Sequence, residues 1–324
     1  MSARRKRAAI AVCAVLAGIG LVAPAAGPAG LEGYIGVKFC NACHKSTHAE
    51  IVAAQAKTSH VFAFWAVSEQ GGERKLAGDF ATAPGFKQSD AAWVLGRGLR
   101  QQAYIGSDFK TLPAEWEVST KQWRPTASAD AKKECIACHT TGYDVTTGEW
   151  KDEGVTCESC HGPGANHAKS STEQKKATAF NPKNQPPDRR AMICGRCHSR
   201  GKNPDGLPFA VGYTPGDDLT KVFTLDTTWE QGARQSQYND LVAGKHLGAG
   251  VDCDTCHDPH GVVTGTSHQL RKPADDLCLD CHPAAKLSPA QHTPPKDCTR
   301  CHMPNGSHQF EKPKSVPEGT PHWH

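Results

Sequence analysis

Residues 154–167 read GVTCESCHGPGANH. Cys157 and Cys160 stand one helical turn apart, His161 follows at once, and His167 comes six residues later. The C-x-x-C-H core recurs at Cys40/Cys43/His44, Cys135/Cys138/His139, Cys194/Cys197/His198, Cys253/Cys256/His257, Cys278/Cys281/His282 and Cys298/Cys301/His302. The seven copies use 14 of the 15 cysteines. Chance placement would give roughly 0.04 copies in a chain of this length, so the repetition reflects what the motif binds.

C-x-x-C-H is the attachment signature of c-type haem. Two thiols one turn apart reach the two vinyl groups on one porphyrin edge and form thioethers, and the next residue aims its imidazole at the iron. Zinc sites combine two C-x-x-C pairs around one metal and have no use for a histidine after every pair. Redox disulfides need no such histidine either. The expected cofactors are seven covalently bound haem c groups. The 14 motif cysteines are the attachment points, and His44, His139, His161, His198, His257, His282 and His302 are the proximal iron ligands.

The N-terminus agrees from another direction. Arg4, Arg5, Lys6 and Arg7 precede an apolar run from Ala8 to Ala23 and then PAAGPAG, the pattern of a secretory signal peptide over residues 1–26, cut near Ala25 or Ala26. Covalent haem attachment of this kind takes place outside the bacterial cytoplasmic membrane, so a periplasmic or otherwise exported location is expected. The 16 apolar residues are short for a span, yet a leader left uncut would associate the protein with a membrane. Cys13 reads as a small apolar residue within it.

Hydrophobic residues make up 38% of the chain, against 31 Gly and 22 Pro, so a conventional core would be thin. Haem supplies the missing apolar surface. The expected fold is mainly α with much irregular backbone, wrapped around a haem stack, with one short β-hairpin in the N-terminal part. The net charge of +4 comes from the leader, whose four basic residues account for the excess of 37 Lys and Arg over 33 Asp and Glu. Each haem adds two propionates against one positive charge, bringing the oxidised holoprotein to about −7. A nucleic-acid partner has no support.

The motifs divide the chain. After the leader, residues 27–130 hold one motif, 131–200 three, 201–250 none, and 251–310 three, followed by a polar tail over 311–324. In the first interval QQAYI and WEVST, separated by the turn-prone GSD and LP, suggest the hairpin. Trp93, Tyr104, Trp116 and Trp123 are expected to pack on haem or on one another. The segment 201–244 reads mostly as loop, with a helix around 228–242.

The sixth position of each iron decides function. Ten histidines lie outside the motifs: His48, His60, His167, His246, His260, His268, His292, His308, His322 and His324. After the leader only Met192 and Met303 are methionines, so bis-histidine coordination, with low potentials, is expected. His260 follows its motif by only three residues and cannot pass to the opposite face of its own haem, so it would ligate a neighbour.

AKTSH at 56–60, CESCHGPGANH at 157–167, GKHLGAGVDCDTCHDPHG at 244–261 and CTRCHMPNGSH at 298–308 resemble the multihaem cytochrome superfamily. That superfamily includes the tetrahaem cytochrome of ammonia oxidisers, pentahaem nitrite reductase and octahaem hydroxylamine oxidoreductase. The resemblance implies distal iron ligation by His60, His167, His246, His260, His292 and His308. For the seventh iron, His48, His268 and His322 remain candidates, as does an open position.

Two functions follow. One is a periplasmic electron carrier in a respiratory chain, serving redox partners such as a membrane quinol-oxidising complex or a terminal reductase. The other is an oxidoreductase with one five-coordinate haem acting on a small nitrogen or sulfur compound. The carrier is preferred, with no catalytic residues: the C-x-x-C-K motif of the nitrite reductases is missing, as is the eighth haem of the hydroxylamine-oxidising enzymes. His322 and His324 would allow a homo-oligomer in which one copy completes a haem of the next.

Overall fold

The computed structural model describes residues 31–263, 267–287 and 296–311. The leader, His292, His322 and His324 lie outside these residues.

The first motif lies on helix α1 (Val37–Thr47), followed at once by α2 (Ala49–Gln55). A five-stranded antiparallel meander comes next: β1 (Phe64–Ala66), β2 (Trp93–Leu95), β3 (Gln101–Ile105), β4 (Ala114–Glu117) and β5 (Gln122–Pro125), paired in that order. The expected hairpin segments sit in β3 and β4, where Gln102 faces Trp116, but the sheet is larger than one hairpin. Short strands around it, such as FWA and WVL, are too brief to show a period in sequence.

Alternation gives the sheet two covered faces. Trp65, Val94 and Tyr104 align across β1 to β3 and pack with Phe62, Phe80 and Trp123. Phe64 and Ile105 point the other way and pack on Ala131 and Ile136. Ile136 lies inside the second C-x-x-C-H motif, so this face seats that motif. The four aromatic residues pack on one another and on neighbouring rings: Trp93 lies 4.8 Å from Phe64, and Trp123 is 5.2 Å from Trp116 and 5.8 Å from Tyr104.

Beyond the sheet the elements are short. They are α3 (Ala131–Glu134), α4 (Ile136–His139), β6 (Thr140–Thr141) paired with β7 (Asp152–Glu153), α5 (Cys157–His161), α6 (Ala165–Lys169), α7 (Lys175–Thr178) and α8 (Pro187–Gly195). There follow β8 (Gly201–Lys202) paired with β9 (Thr224–Leu225), α9 (Gln237–Ala243), α10 (Cys253–Cys256), α11 (Ala274–Cys281) and α12 (Cys298–His302). Helix α9 starts nine residues later than position 228, because Gly232 takes a φ of 73° and Gln235 one of 60°. Its buried Tyr238 and Leu241 pack on Ala191 and Met192 of α8 in a third cluster. The cysteines of every motif thus lie on or beside a helical turn, the spacing that presents both sulfurs to one side.

Candidate haem-binding centre

Five histidines of the motifs each face a second histidine at one spacing. The ring centroids are 6.0 Å apart for His44 and His167, 6.2 Å for His198 and His60, and 6.1 Å for His161 and His260. They are 6.2 Å apart for His282 and His246 and 6.1 Å for His257 and His308. With His–metal bonds of about 2 Å and ring centres about 1.1 Å behind the bonded nitrogens, two imidazoles sharing one metal have centroids roughly 6.2 Å apart. Direct stacking would bring rings closer. The residues therefore fit an iron between each pair.

The hydrogen bonds orient these rings. Nδ1 of His139 donates to the Ala63 carbonyl (2.9 Å), that of His161 to Phe180 (3.1 Å), and that of His257 to His268 (2.9 Å). On the facing side, Nδ1 of His167 donates to Lys175 (2.9 Å) and that of His308 to Gly306 (3.0 Å). A carbonyl only accepts, so Nδ1 carries the proton and Nε2 keeps its lone pair for a metal. Desolvation by the surrounding protein holds His60, His139 and His308 below the usual histidine range, and desolvation together with the neighbouring histidines takes His198 down to about 4, favouring the neutral form that a metal needs.

The sulfurs show how the motifs adjoin. The sulfurs of Cys40 and Cys157, Cys138 and Cys197, Cys194 and Cys253, and Cys278 and Cys298 lie close to one another. Cys160 also lies near Cys194, and Cys256 near Cys278 and Cys281. These links join motifs far apart in sequence and cross the segment boundaries at residues 131, 201 and 251.

Among the described residues three of the 14 attachment cysteines expected from the sequence, Cys43, Cys135 and Cys301, are not brought against a cysteine of another motif. Cys43 is exposed on α1, and Cys301 is half-buried on α12. Cys40, Cys138 and Cys298 make the inward contacts of those motifs. Cys43 and Cys301 each still stand one helical turn after the first cysteine of their motif, the spacing that two thioethers on one porphyrin edge require.

Five of the six histidines that the superfamily resemblance implicates, His60, His167, His246, His260 and His308, thus face a motif histidine; His292 lies outside the described residues. His48 lies beside His44, with Nδ1 atoms 3.1 Å apart, on the edge away from Nε2. His268 offers its carbonyl to His257, and among the described residues its ring faces no motif histidine. Nor does any second imidazole ring face His139 among these residues. Nδ1 of His302 donates to the Glu311 carbonyl (3.0 Å).

Two charged residues inside the motifs escaped sequence reasoning. Glu158 of CESCH is 2% exposed and accepts from the backbone N–H groups of Ile35 (3.0 Å), Gly36 (2.7 Å) and Gly164 (2.7 Å). Gly36 and Gly164 cap the N-termini of α1 and α6, the helices carrying His44 and His167. Arg196 of CGRCH is partly buried beside Cys138, Cys160 and Cys197. The one available signal was a charge at a motif position whose neighbours must face the protein.

Paired sulfurs and facing imidazoles in this number define a multihaem c-type cytochrome. The family profile described as cytochrome c554 and c-prime matches residues 103–162, and that of the doubled CXXCH motif matches residues 246–287. The multiheme cytochrome MtrA of Shewanella baltica (strain OS185) is 27% identical over 158 residues, 44% of this chain and 46% of that protein, so the chain spans under half of that relative's length. Among solved structures, the outer cell wall cytochrome OcwA superposes with a TM-score of 0.63 at 21% identity, over 86% of this chain and 80% of that one. The undecaheme cytochrome from the S-layer of Carboxydothermus ferrireducens gives a TM-score of 0.55 at 20% identity, over 89% of this chain and 53% of that one. Among the described residues no helix is long and apolar enough to cross a membrane.

Proposed function

We propose that this protein is an exported electron carrier holding seven haem c groups, working between redox proteins of a respiratory chain. The observation that carries the reading is the set of five facing histidine pairs near 6.1 Å. Bound haem would supply one-electron cycling between ferric and ferrous iron. The chain's own residues would do the rest: the motif cysteines, Cys43 and Cys301 among them, would fix each group, and His44, His161, His198, His257 and His282 would bind the iron. His167, His260, His60, His308 and His246, respectively, would be the second ligands. Two protein ligands on each iron would keep small molecules off it, which suits a carrier.

The sulfur contacts support a path. They join the motifs beginning at Cys40, Cys157, Cys194, Cys253, Cys278 and Cys298 in one line, with the motif at Cys135 branching at Cys197. The outer motifs of that line are the natural places for a donor and an acceptor to dock. Stepwise potentiometry of the purified holoprotein tests the carrier: successive one-electron reductions totalling seven support it, and fewer contradict the count.

A second reading rests on His139, which faces no imidazole among the described residues. Its iron would then keep an open position for a small nitrogen or sulfur compound. A high-spin EPR signal that shifts on adding nitrite or cyanide would support that reading; its absence leaves the carrier alone.

A further inference from the structure

Asp240 lies on α9 with none of its surface exposed. Its carboxylate ties the loop before α9 to a stretch of chain beyond α12. Oδ1 accepts from the indole N–H of Trp229 (2.7 Å), and Oδ2 accepts from the backbone N–H groups of Gly232 (3.3 Å) and His308 (3.1 Å). All three partners donate, and an ionised carboxylate only accepts.

The stretch that carries His308 depends on such an anchor. Between Pro304 and Phe310 its regular structure is a single 3-10 turn, and Asn305 and Phe310 take left-handed φ values of 56° and 55°. It is laid tightly on α9 and the loop before it. A Cβ on Gly232 would stand 2.9 Å from the Asn305 carbonyl oxygen, and one on Gly244 would stand 2.7 Å from that of Gln309. Ser307, between the two contacts, is wholly buried. A group bound between the His257 and His308 rings cannot expose the carboxylate, so its charge stays out of water in the holoprotein.

A buried charge hydrogen-bonded to an iron ligand acts on the iron in two ways. It fixes where the ligand stands. It also favours ferric over ferrous iron, because the ferric state carries one more positive charge. A unit charge about 10 Å away, at an effective dielectric of about 20, changes an electron equilibrium about tenfold or more. We propose, on the reading that His257 and His308 share one iron, that Asp240 is a positioning residue for it: the carboxylate holds His308 in place and its charge makes that iron harder to reduce. The motif of Cys253 and His257 stands inside the line of sulfur contacts, between those of Cys194 and Cys278, so the potential of this iron governs passage between the two ends.

The test is stepwise potentiometry of the Asp240→Asn holoprotein, which keeps an oxygen at the site and loses the charge. One haem potential should rise by about tenfold in the reduction equilibrium, about 59 mV for a one-electron couple, with haem content unchanged. A variant that unfolds more easily while every potential stays at its wild-type value overturns the proposal, since a purely structural residue would behave so. Should Asp240→Asn fail to mature, Trp229→Phe decides. It keeps the charge and removes a donor that screens it, so the same potential should fall by about threefold in the equilibrium, and no change overturns the proposal. His308→Ala tests the shared iron itself and should turn one iron high-spin by EPR. An unchanged spectrum there removes the pairing and the proposal with it, whereas a high-spin iron there with unmoved potentials in Asp240→Asn removes the role of Asp240 alone.

Discussion

Replacing Glu158 with alanine should loosen the ring pair of His44 and His167 without touching either histidine. The carboxylate accepts three backbone N–H groups at 2.7 to 3.0 Å, and two of these belong to the N-caps of α1 and α6. The site is 2% exposed, so water replaces little of what is lost. Each orphaned buried donor costs about 1–3 kcal/mol, which puts Glu158→Ala at about 3–6 kcal/mol after partial relaxation. Glu158→Gln keeps one oxygen but turns an amide N–H₂ toward a backbone donor and gives up the charge, for about 1–3 kcal/mol. Guanidinium unfolding of the holoprotein, followed by tryptophan fluorescence and the Soret band, reads the stability. EPR at low temperature reads the iron between His44 and His167, which should gain a high-spin fraction in the alanine variant as the two helices separate. A Glu158→Ala protein within about 1 kcal/mol of wild type and wholly low-spin would refute the reasoning.

Other substitutions probe other parts of the fold. His260→Ala should leave haem content intact, by pyridine haemochrome assay, while the iron at His161 becomes high-spin; an unchanged EPR spectrum would remove His260 from the ligand set. Asp252, wholly buried, pairs with Arg190 at 2.5 Å and caps α10 through Thr255, so Asp252→Ala should cost about 3 kcal/mol in denaturant unfolding. Gly154 has a φ of 72°, and a Cβ there would stand 2.1 Å from the Val61 carbonyl oxygen; Gly154→Ala should destabilise by about 3 kcal/mol or more. Burial pushes the Tyr104 phenol up to about 12 from its ordinary 10. Folding therefore favours its neutral form: the contribution is complete below pH 10 and lost as pH rises toward 12, up to about 2 kcal/mol. Tyr104→Phe should flatten that alkaline decline, and an identical decline would assign it to other groups.

The cysteine and histidine pattern made the cofactor legible because thioether chemistry fixes residue type and spacing together. The same pattern treats all seven motifs alike, so it held no sign that Cys43, Cys135 and Cys301 would stand outside the sulfur contacts; that depends on how the motifs meet in the fold. That His260 would turn toward a neighbouring motif was legible for a steric reason, since three residues cannot pass round a porphyrin, and its ring faces that of His161. The five-stranded sheet was not, because Phe64 and Trp93 lie in three-residue strands that show no period of their own and owe their place to Ile136 and the loops around them. Glu158 and Arg196 were hidden inside motifs whose variable positions carry no rule of their own. The acceptors of the motif rings were hidden too: the Ala63 and Phe180 carbonyls belong to backbone that only the fold brings near His139 and His161.

The facing histidines are tested most directly by EPR of the fully oxidised holoprotein at liquid-helium temperature, with spin quantified against total haem. The ring planes of the pairs at His44, His161 and His257 are within 15° to 24° of parallel, and those at His198 and His282 are steep, at 76° and 67°. Near-parallel axial imidazoles give a rhombic low-spin spectrum, and steep ones a highly anisotropic spectrum with a larger principal g value. Two low-spin classes in a ratio near three to two among these five irons is the expected result. Mostly high-spin iron, or low-spin signals typical of methionine ligation, would contradict it.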